Sequence, residues 1–481
     1  MLVLQRTNIS LTSLWFSLAV FFLVLTILFT IFSHNFGYDT RVKDMPIFIL
    51  VAGLVLAGAV FLYLPYLIKH TLNSRKSVKT IFYVVVLCGV CMRVCLLFSE
   101  PVLEDDYQRY LWDGAVTAHG LNPYQYAPDD METLRLENMT LKKLALESGL
   151  VLNRINHPEL RTIYPPVTQA AFALAYYLGP FQLTAWRLVI FFCDIITLIL
   201  LYQILRHMKT SVLWSALYWW NPIVLKELFN SAHMEAILLP LVLGAVVLSL
   251  NKRPFYSGMS LLWAAGVKIW PVLLLPIVWR PLLRYPLKAG FALISAIVIA
   301  TILAIPIVLS GLNAESGFVA YATKWQTNSA LFPLIKLGFQ SVFGYFASET
   351  LDANIFARGT IILCLGALIL YLLRKPIKDN ADLIGRISLL SFAIFMLSPA
   401  QFPWYYIWII PFLCVQPNFG LLLLSATLPL YYTSFHFMAH AQKSIYNDVI
   451  LCLIWVWQRN LSTTNKKKAG KKKKKQGSCH V

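Results

Sequence analysis

LTSLWFSLAVFFLVLTILFTIF, residues Leu11–Phe32, contains no charged side chain. Roughly 20 such residues at about 1.5 Å per residue cross a hydrocarbon layer of about 30 Å, so this run reads as a membrane helix. Two more follow closely, Pro46–Leu67 and Thr80–Phe98. Further apolar runs cover Leu183–Leu205, Val212–Val224, Ala236–Leu250, Phe255–Val278, Ala289–Leu309, Ile355–Leu373, Ile384–Leu397, Tyr406–Val415, Leu421–Phe435 and Ile445–Trp457. Hydrophobic residues make up 58% and charged residues 13% of the 481, about half the charge of an ordinary soluble domain. The expected fold class is therefore all-α, a polytopic bundle of about 10–13 transmembrane helices. The first run is longer than a typical signal core and lacks a small-residue cleavage site, so it reads as a retained helix.

Charge sets the orientation. Lys69, Arg75, Lys76 and Lys79 lie between the second and third runs with no acid among them, which places that loop in the cytoplasm. Asn251-Lys252-Arg253, Arg280 with Arg284 and Lys288, and Arg374-Lys375 read as further inner loops. The third run then delivers residues 99–165 to the external face. Phe255–Val278 has cytoplasmic charges at both ends, so it is expected to be a broken hairpin turned at Lys268–Pro271. Val167–Leu178 is short for a crossing. Irregular or short helices survive in a membrane only where they face protein or a wet cavity, as an enzyme carved into a bundle would require.

The net charge of +19 owes eight lysines to a terminal run, Lys466 to Lys468 and Lys471 to Lys475. Such a run is a disordered tail that fixes topology and meets an anionic inner leaflet, and it does not imply nucleic acid. Three parts result: an amino-terminal membrane hairpin over 1–79, a membrane domain over 80–460, and a tail over 461–481. Cys88, Cys91 and Cys95 share a helix face without the polar partners of a metal site, and the other cysteines within apolar runs offer no disulfide framework.

The chemistry is expected in the polar loop. Half of the chain's 22 acids fall there, against six bases: Glu100, Glu104, Asp105, Asp106, Asp113, Asp129, Asp130, Glu132, Glu137, Glu147 and Glu159. If Asp106 to Gly114 is helical, Asp106, Arg109, Tyr110 and Asp113 share one face. Trp112, Tyr124 and Tyr126 place rings around it. Carboxylates beside aromatic platforms suit carbohydrate, because a carboxylate accepts the proton of an attacking hydroxyl while rings stack on the sugar's apolar face. The plainer alternative is a surface helix with Arg109 bridging Asp106 and Asp113, each pair contributing tenths of a kcal/mol. Adjacent Asp105 and Asp106 gain nothing comparable, since like charges repel.

The loop carries Glu104-Asp105-Asp106-Tyr107-Gln108-Arg109-Tyr110-Leu111-Trp112-Asp113-Gly114, then Gly120-Leu121-Asn122-Pro123-Tyr124, His157-Pro158-Glu159 and Tyr164-Pro165-Pro166. Later come Asn221-Pro222, His233-Met234-Glu235, Lys268-Ile269-Trp270-Pro271, Trp325 with Asn328, Ser398-Pro399 and Pro403-Trp404-Tyr405. Together, from about residue 90 to 412, these resemble membrane glycosyltransferases of the GT-C fold. They are most similar to bacterial polyprenyl-phosphate-sugar-dependent, mannosyltransferase-like proteins and also resemble the mannosyltransferase of glycolipid-anchor synthesis. The early block is the more specific part.

The resemblance implies a GT-C-like bundle with a large external catalytic loop, and an inverting transfer of a sugar, mannose by family weight, from a polyprenyl phosphate to a hydroxyl on the external face. The catalytic carboxylate would be Asp106 or Asp105, with Asp106 chosen because it directly precedes the tyrosine. Two departures stand out: the loop follows the third apolar run instead of the first, as if a hairpin were added, and the acids read Glu-Asp-Asp instead of Asp-x-Asp. The acceptor is a lipid, glycan or protein, and the location a bacterial inner membrane.

Cations at the leaving phosphate would stabilise the transition state. Arg93 and Lys268 are charges within apolar runs, where they cost roughly 2.5–3.5 kcal/mol at mid-bilayer and are functional by default. Arg93 near its helix end has the alternative of snorkelling outward. Arg161 is a third choice, beside an interfacial anchoring role. Arg109, Trp112, Asp113, Asn122, Tyr124 and Tyr164 complete the loop's substrate-binding candidates. His233 and Glu235 are candidates for acceptor hydroxyls or a divalent cation, although two ligands alone make a weak metal site. Trp404 and Tyr405 suit either an interfacial belt or a sugar platform. No resident cofactor is otherwise expected. The competing function is a transporter or flippase for lipid-linked sugars, which would concentrate charge at the midplane and show internal repeats. A structural subunit of an envelope-assembly complex is a further alternative. Absence of a nucleotide-binding Rossmann pattern argues against a nucleotide-sugar donor.

Overall fold

The computed structural model describes residues 10–74, 78–133, 138–329, 331–345 and 351–441. The Ile445–Trp457 run and the lysine tail lie outside them. Among the described residues the chain is helical with one isolated bridge, Thr327 to Ala400, an all-α polytopic membrane protein. Eight helical stretches are long and apolar enough to cross a membrane. The runs at 212–224, 254–278 and 406–415 break into shorter pieces, and 235–250 forms a helix of 16 residues.

Proline explains most of the breaks, since it removes a backbone N–H and favours the first helical turn. Pro222 starts a short helix capped by Asn221, whose Oδ1 accepts from Ile223 N at 3.0 Å. Pro271, Pro276, Pro403 and Pro411 occupy first-turn positions in the same way. Phe255–Val278 is broken where expected: helix Pro254–Ala265 ends, a turn follows, and a 3-10 segment starts at Trp270. The interrupted pieces between Ala216 and Leu239 are almost wholly buried, so their unpaired backbone groups face protein, as a bilayer demands.

The elements that build the site are α1 (Leu11–Ser33), α2 (Ile47–Phe61, continued by Leu64–Asn73), α3 (Val78–Leu96), α4 (Asp106–Ala118), α5 (Pro166–Leu178), α6 (Leu183–His207), α7 (Glu235–Leu250), α8 (Pro254–Ala265) and α9 (Pro286–Val308). α1 packs on α3, α4 on α5, and α7 on both α6 and α8. α9 buries only Ala292 and leaves Leu287, Phe291, Ile294 and Val298 exposed, the surface of a helix solvated by lipid.

One buried ion pair ties this frame together. Arg93 Nε on α3 lies 2.6 Å from Asp194 Oδ2 on α6, both side chains fully buried. Arg93 Nη1 donates to the carbonyls of Gly89 and Trp219 at 3.0 and 2.9 Å, and its guanidinium stacks 3.4 Å over the Trp219 ring. Arg187 on α6 pins the outgoing chain by donating to Ser99 O and Asn230 O, each at 2.7 Å. These bonds fix where α3 ends and the polar loop begins.

Candidate functional site

α4 starts where the sequence places paired acids. Leu103 takes a left-handed conformation, φ 52°, and Glu104 Oε1 accepts from the backbone N–H of Asp105 and Asp106 at 3.2 and 3.1 Å. Negative charge at a helix start is favoured by the unpaired amides and the helix dipole. Asp105 and Asp106 are thereby held side by side, half-buried. Asn156 bridges them: its Nδ2 donates to Asp105 Oδ1 at 2.7 Å and to Asp106 Oδ1 at 2.8 Å. The Tyr164 hydroxyl donates to Asp106 Oδ2 at 3.5 Å.

The pair borders a cavity of about 790 Å³, within the usual range for small-molecule sites. Burial pushes Asp105 up to about 7, and Glu104 and Asp106 add to the rise. Burial and then Glu104 raise Asp106 to about 6, while His233 and the Asn156 bond pull the other way. Both carboxylates are thus raised toward neutrality.

Beneath the pair sits a charge relay. His233 Nε2 lies 3.1 Å from Glu104 Oε2 and 3.5 Å from Glu227 Oε2. Burial opposes protonation of His233, yet the two carboxylates carry it up to about 10. Glu227 also accepts from the Tyr432 hydroxyl and lies 3.7 Å from Lys226 Nζ. Glu104, Asp106 and His233 each place one ligand atom within 4.8 Å of the others. A divalent ion would require His233 to be neutral, whereas its two carboxylate neighbours favour the proton, so proton and metal compete for one place.

Cations and aromatic rings share the lining of the same cavity. Lys268 Nζ pairs with Glu235 Oε1 at 2.7 Å and lies 3.5 Å from the Tyr405 ring centroid. Arg161 donates to the carbonyls of Ser310 and Gly311 and to Asn313 Oδ1. These are uncharged acceptors, so its positive charge is not cancelled by them. Trp404 is stacked between Phe402 at 4.3 Å and His233 at 3.9 Å, and Tyr405 stacks on Trp408 at 4.7 Å with Lys268 Nζ beside both rings, 3.5 Å from the Tyr405 centroid and 4.9 Å from that of Trp408. Both faces of Trp404 are therefore already covered, and a sugar would meet only its edge. Trp325, stacked on Tyr321 at 6.0 Å and met by the His157 ring at 4.8 Å, also lines the cavity.

Of the residues singled out in sequence, Asp105, Asp106, Arg109, Arg161, Tyr164, Glu235, Lys268, Trp404 and Tyr405 line the cavity. Arg109 Nη2 donates to the carbonyls of His157 and Leu160 at 2.9 and 3.0 Å, which fixes the loop instead of bridging the acids of its own helix. Others lie behind the wall. Asp113 is buried and accepts from Gln169 Nε2 at 3.1 Å, and Trp112 fills a satellite cluster with Leu141, Leu144 and Ile155. Asn122 Nδ2 donates to Pro306 O and Ser310 Oγ, each at 2.9 Å. The Tyr124 hydroxyl donates to Tyr164 O at 2.7 Å. Arg93 does not reach the cavity, because Asp194 holds it in the bundle interior. Asn156 and Glu227 were not singled out. A lone asparagine gives no pattern, but Lys226-Glu227 next to an apolar run was a usable signal.

Residues 162–283, which carry Tyr164, the His233 relay, Glu235 and Lys268, match a family model described as "Alpha-(1->6)-mannopyranosyltransferase, N-terminal domain". The match supports a mannosyltransferase. Its span contains Glu227, His233, Glu235 and Lys268, but not Glu104, the acid pair or Arg161, which precede it by sequence. No curated protein and no solved structure matches the chain significantly. The eight apolar helical stretches support a multi-pass membrane protein, and the family likeness supports a glycosyltransferase.

Proposed function

We propose that this chain is an inverting glycosyltransferase of GT-C type that moves mannose from a polyprenyl-phosphate donor to a hydroxyl acceptor on the external face of a bacterial inner membrane. The observation that carries the reading is the half-buried Asp105–Asp106 pair lining one cavity together with Lys268 and Arg161. A base and cations able to meet a leaving phosphate, bordering one space, are what displacement at an anomeric carbon needs.

Asp106 acts as the base. Its carboxylate takes the proton of the acceptor hydroxyl as that oxygen attacks the anomeric carbon. The bond from that carbon to the phosphate oxygen breaks on the opposite face, so configuration inverts and polyprenyl phosphate leaves with both electrons. A base works best with a pKa near the working pH, and burial beside Glu104 raises Asp106 to about 6. Asp105, raised to about 7, titrates with it, and a proton held by the pair limits the repulsion between them. Lys268 and Arg161 offset the charge that grows on the leaving phosphate. His233, held as a cation by Glu104 and Glu227, keeps Asp106 from drifting further upward. A divalent ion at Glu104, Asp106 and His233 would bring Lewis acidity at the cost of the base, and no step depends on it.

Purified protein reconstituted with polyprenyl-phosphate mannose should release polyprenyl phosphate, and Asp106→Asn and Asp105→Asn should not. Transfer retained in both variants would remove the acid pair from the mechanism.

A further inference from the structure

The loop joining α1 to α2, residues 34–46, supplies part of the cavity lining through Phe36, Tyr38, Thr40, Val42 and Met45. It lies well before residues 162–283, which the family model matches, and the displacement at Asp106 involves none of these side chains. Three contacts fasten it to the polar loop. Ser33 Oγ accepts from Glu100 N at 2.9 Å, and Phe36 is buried in one cluster with Ile47, Val102 and Tyr432. Arg154 makes the third: its Nη2 lies 3.2 Å from Asp39 Oδ2, and its guanidinium sits 4.5 Å from the Tyr38 ring centroid. The Asp39 side chain is 88% exposed, so water screens that ion pair and it contributes little. The Tyr38 ring is the firmer hold, because it meets a guanidinium whose own side chain is mostly covered.

Arg154 in turn stands two residues from Asn156. A 3-10 turn, Leu152–Arg154, ends at Ile155, which is extended with φ −70° and ψ 128°. Successive side chains of an extended segment point to opposite sides. Ile155 is buried in one cluster with Trp112, Ala115 and Val116 of α4, so Arg154 and Asn156 turn the other way, and both line the cavity. Their Cα atoms are at most about 7 Å apart. Asn156 is the residue that donates to both acids, at 2.7 and 2.8 Å. On its other side Arg109 holds the next residue by the carbonyl of His157. The amide that bridges the acid pair is thus set between two anchored guanidinium groups, one of them anchored by the α1–α2 loop.

We infer that Tyr38 is a positioning residue for the transfer: stacked on Arg154, it holds Asn156 against Asp105 and Asp106 and makes the α1–α2 loop a working part of the site. The inference rests on the acid pair acting as proposed above. Tyr38 touches neither acid and works through two side chains in series, Arg154 and then Asn156. Its effect on the rate therefore exists only while Asn156 is present, which a ring that bound substrate, or served the fold alone, would not show.

A double-mutant cycle tests this, because residues that act through one another are non-additive. Full-length protein reconstituted with polyprenyl-phosphate mannose is assayed for kcat/KM near pH 6, where a bond that favours the ionised pair matters most. Tyr38→Ala should lose about threefold, the size of one cation–π contact at an exposed site, and Arg154→Ala at least as much. Tyr38→Phe, which keeps the ring, should restore the wild-type rate. In an Asn156→Ala background, Tyr38→Ala should cost nothing further. A loss by the same factor in both backgrounds would overturn the inference, and so would a Tyr38→Ala protein as fast as wild type. If Asp106→Asn is inactive while Tyr38→Ala is normal, the role of Tyr38 alone is removed; if Asp106→Asn and Asp105→Asn both retain transfer, the proposed function is removed with it.

Discussion

Asn156→Ala tests the base assignment through a residue that is not itself reactive. Asn156 donates to both acids, at 2.7 and 2.8 Å, and these bonds favour the ionised carboxylates over the protonated ones. A hydrogen bond to a charged group contributes roughly 1.5–3 kcal/mol. Taking the lower figure, its loss raises the midpoint by about one unit at about 1.36 kcal/mol per unit. Asp106 starts at about 6, so the acidic limb of kcat/KM should move toward 7. At a pH near 6 the ionised fraction then falls from about one half to about one tenth, roughly a fivefold loss, while above pH 8 the variant approaches wild type. The sign is fixed: a base must be ionised, so rates rise with pH through its pKa, and a higher pKa moves the limb toward alkali. The acids titrate as a pair, so the midpoint belongs to both. The assay is release of polyprenyl phosphate across a pH series at low substrate, which reports free-enzyme groups. An unmoved limb, or an equal loss at every pH, would refute the role given to the acid pair and its asparagine.

The remaining predictions concern the frame and the relay. Arg93→Leu strands Asp194 unpaired between α3 and α6 and should cost about 3–5 kcal/mol of stability; Arg93→Leu with Asp194→Leu should recover most of it, read by thermal unfolding in detergent. For the folded fraction of the single variant, donor KM should stay at the wild-type value, since Arg93 lies outside the cavity. Gly114→Ala drives a Cβ to 2.4 Å from the Phe172 carbonyl oxygen, so α4 must part from α5 at a cost of about 1–3 kcal/mol. Both melting temperature and kcat should fall, because α4 carries Asp106. With a proton on His233, a chelator should leave transfer unchanged; loss of activity restored by a divalent ion would show that the ion displaces that proton.

The fold was legible because lipid imposes long uninterrupted apolar runs, and Leu11–Phe32 or Leu183–Leu205 can be read without knowing any partner. The acid pair was legible for the converse reason, as a concentration of carboxylates in a chain otherwise short of charge. Arg93 and Lys268 show where that logic stops. Each is a cation in an apolar run, and the cost of burying it implies only that something nearby offsets the charge. For Arg93 the offset is Asp194, 101 positions away, and the pair is part of the scaffold. For Lys268 it is Glu235, 33 positions away, at the rim of the cavity. Sequence carries the presence of the charge but not the address of its partner, and the address decides between scaffold and site. Asn156 lies 50 positions from Asp106 with no charge, repeat or spacing to mark it, yet it touches both acids. Trp404 was legible as aromatic but not as occupied, since stacking by His233 and Phe402 exists only after folding. A sugar bound here has no face of Trp404 to rest on, so substitution of Trp325 by leucine should weaken acceptor or donor binding more than Trp404→Phe, which keeps the stack.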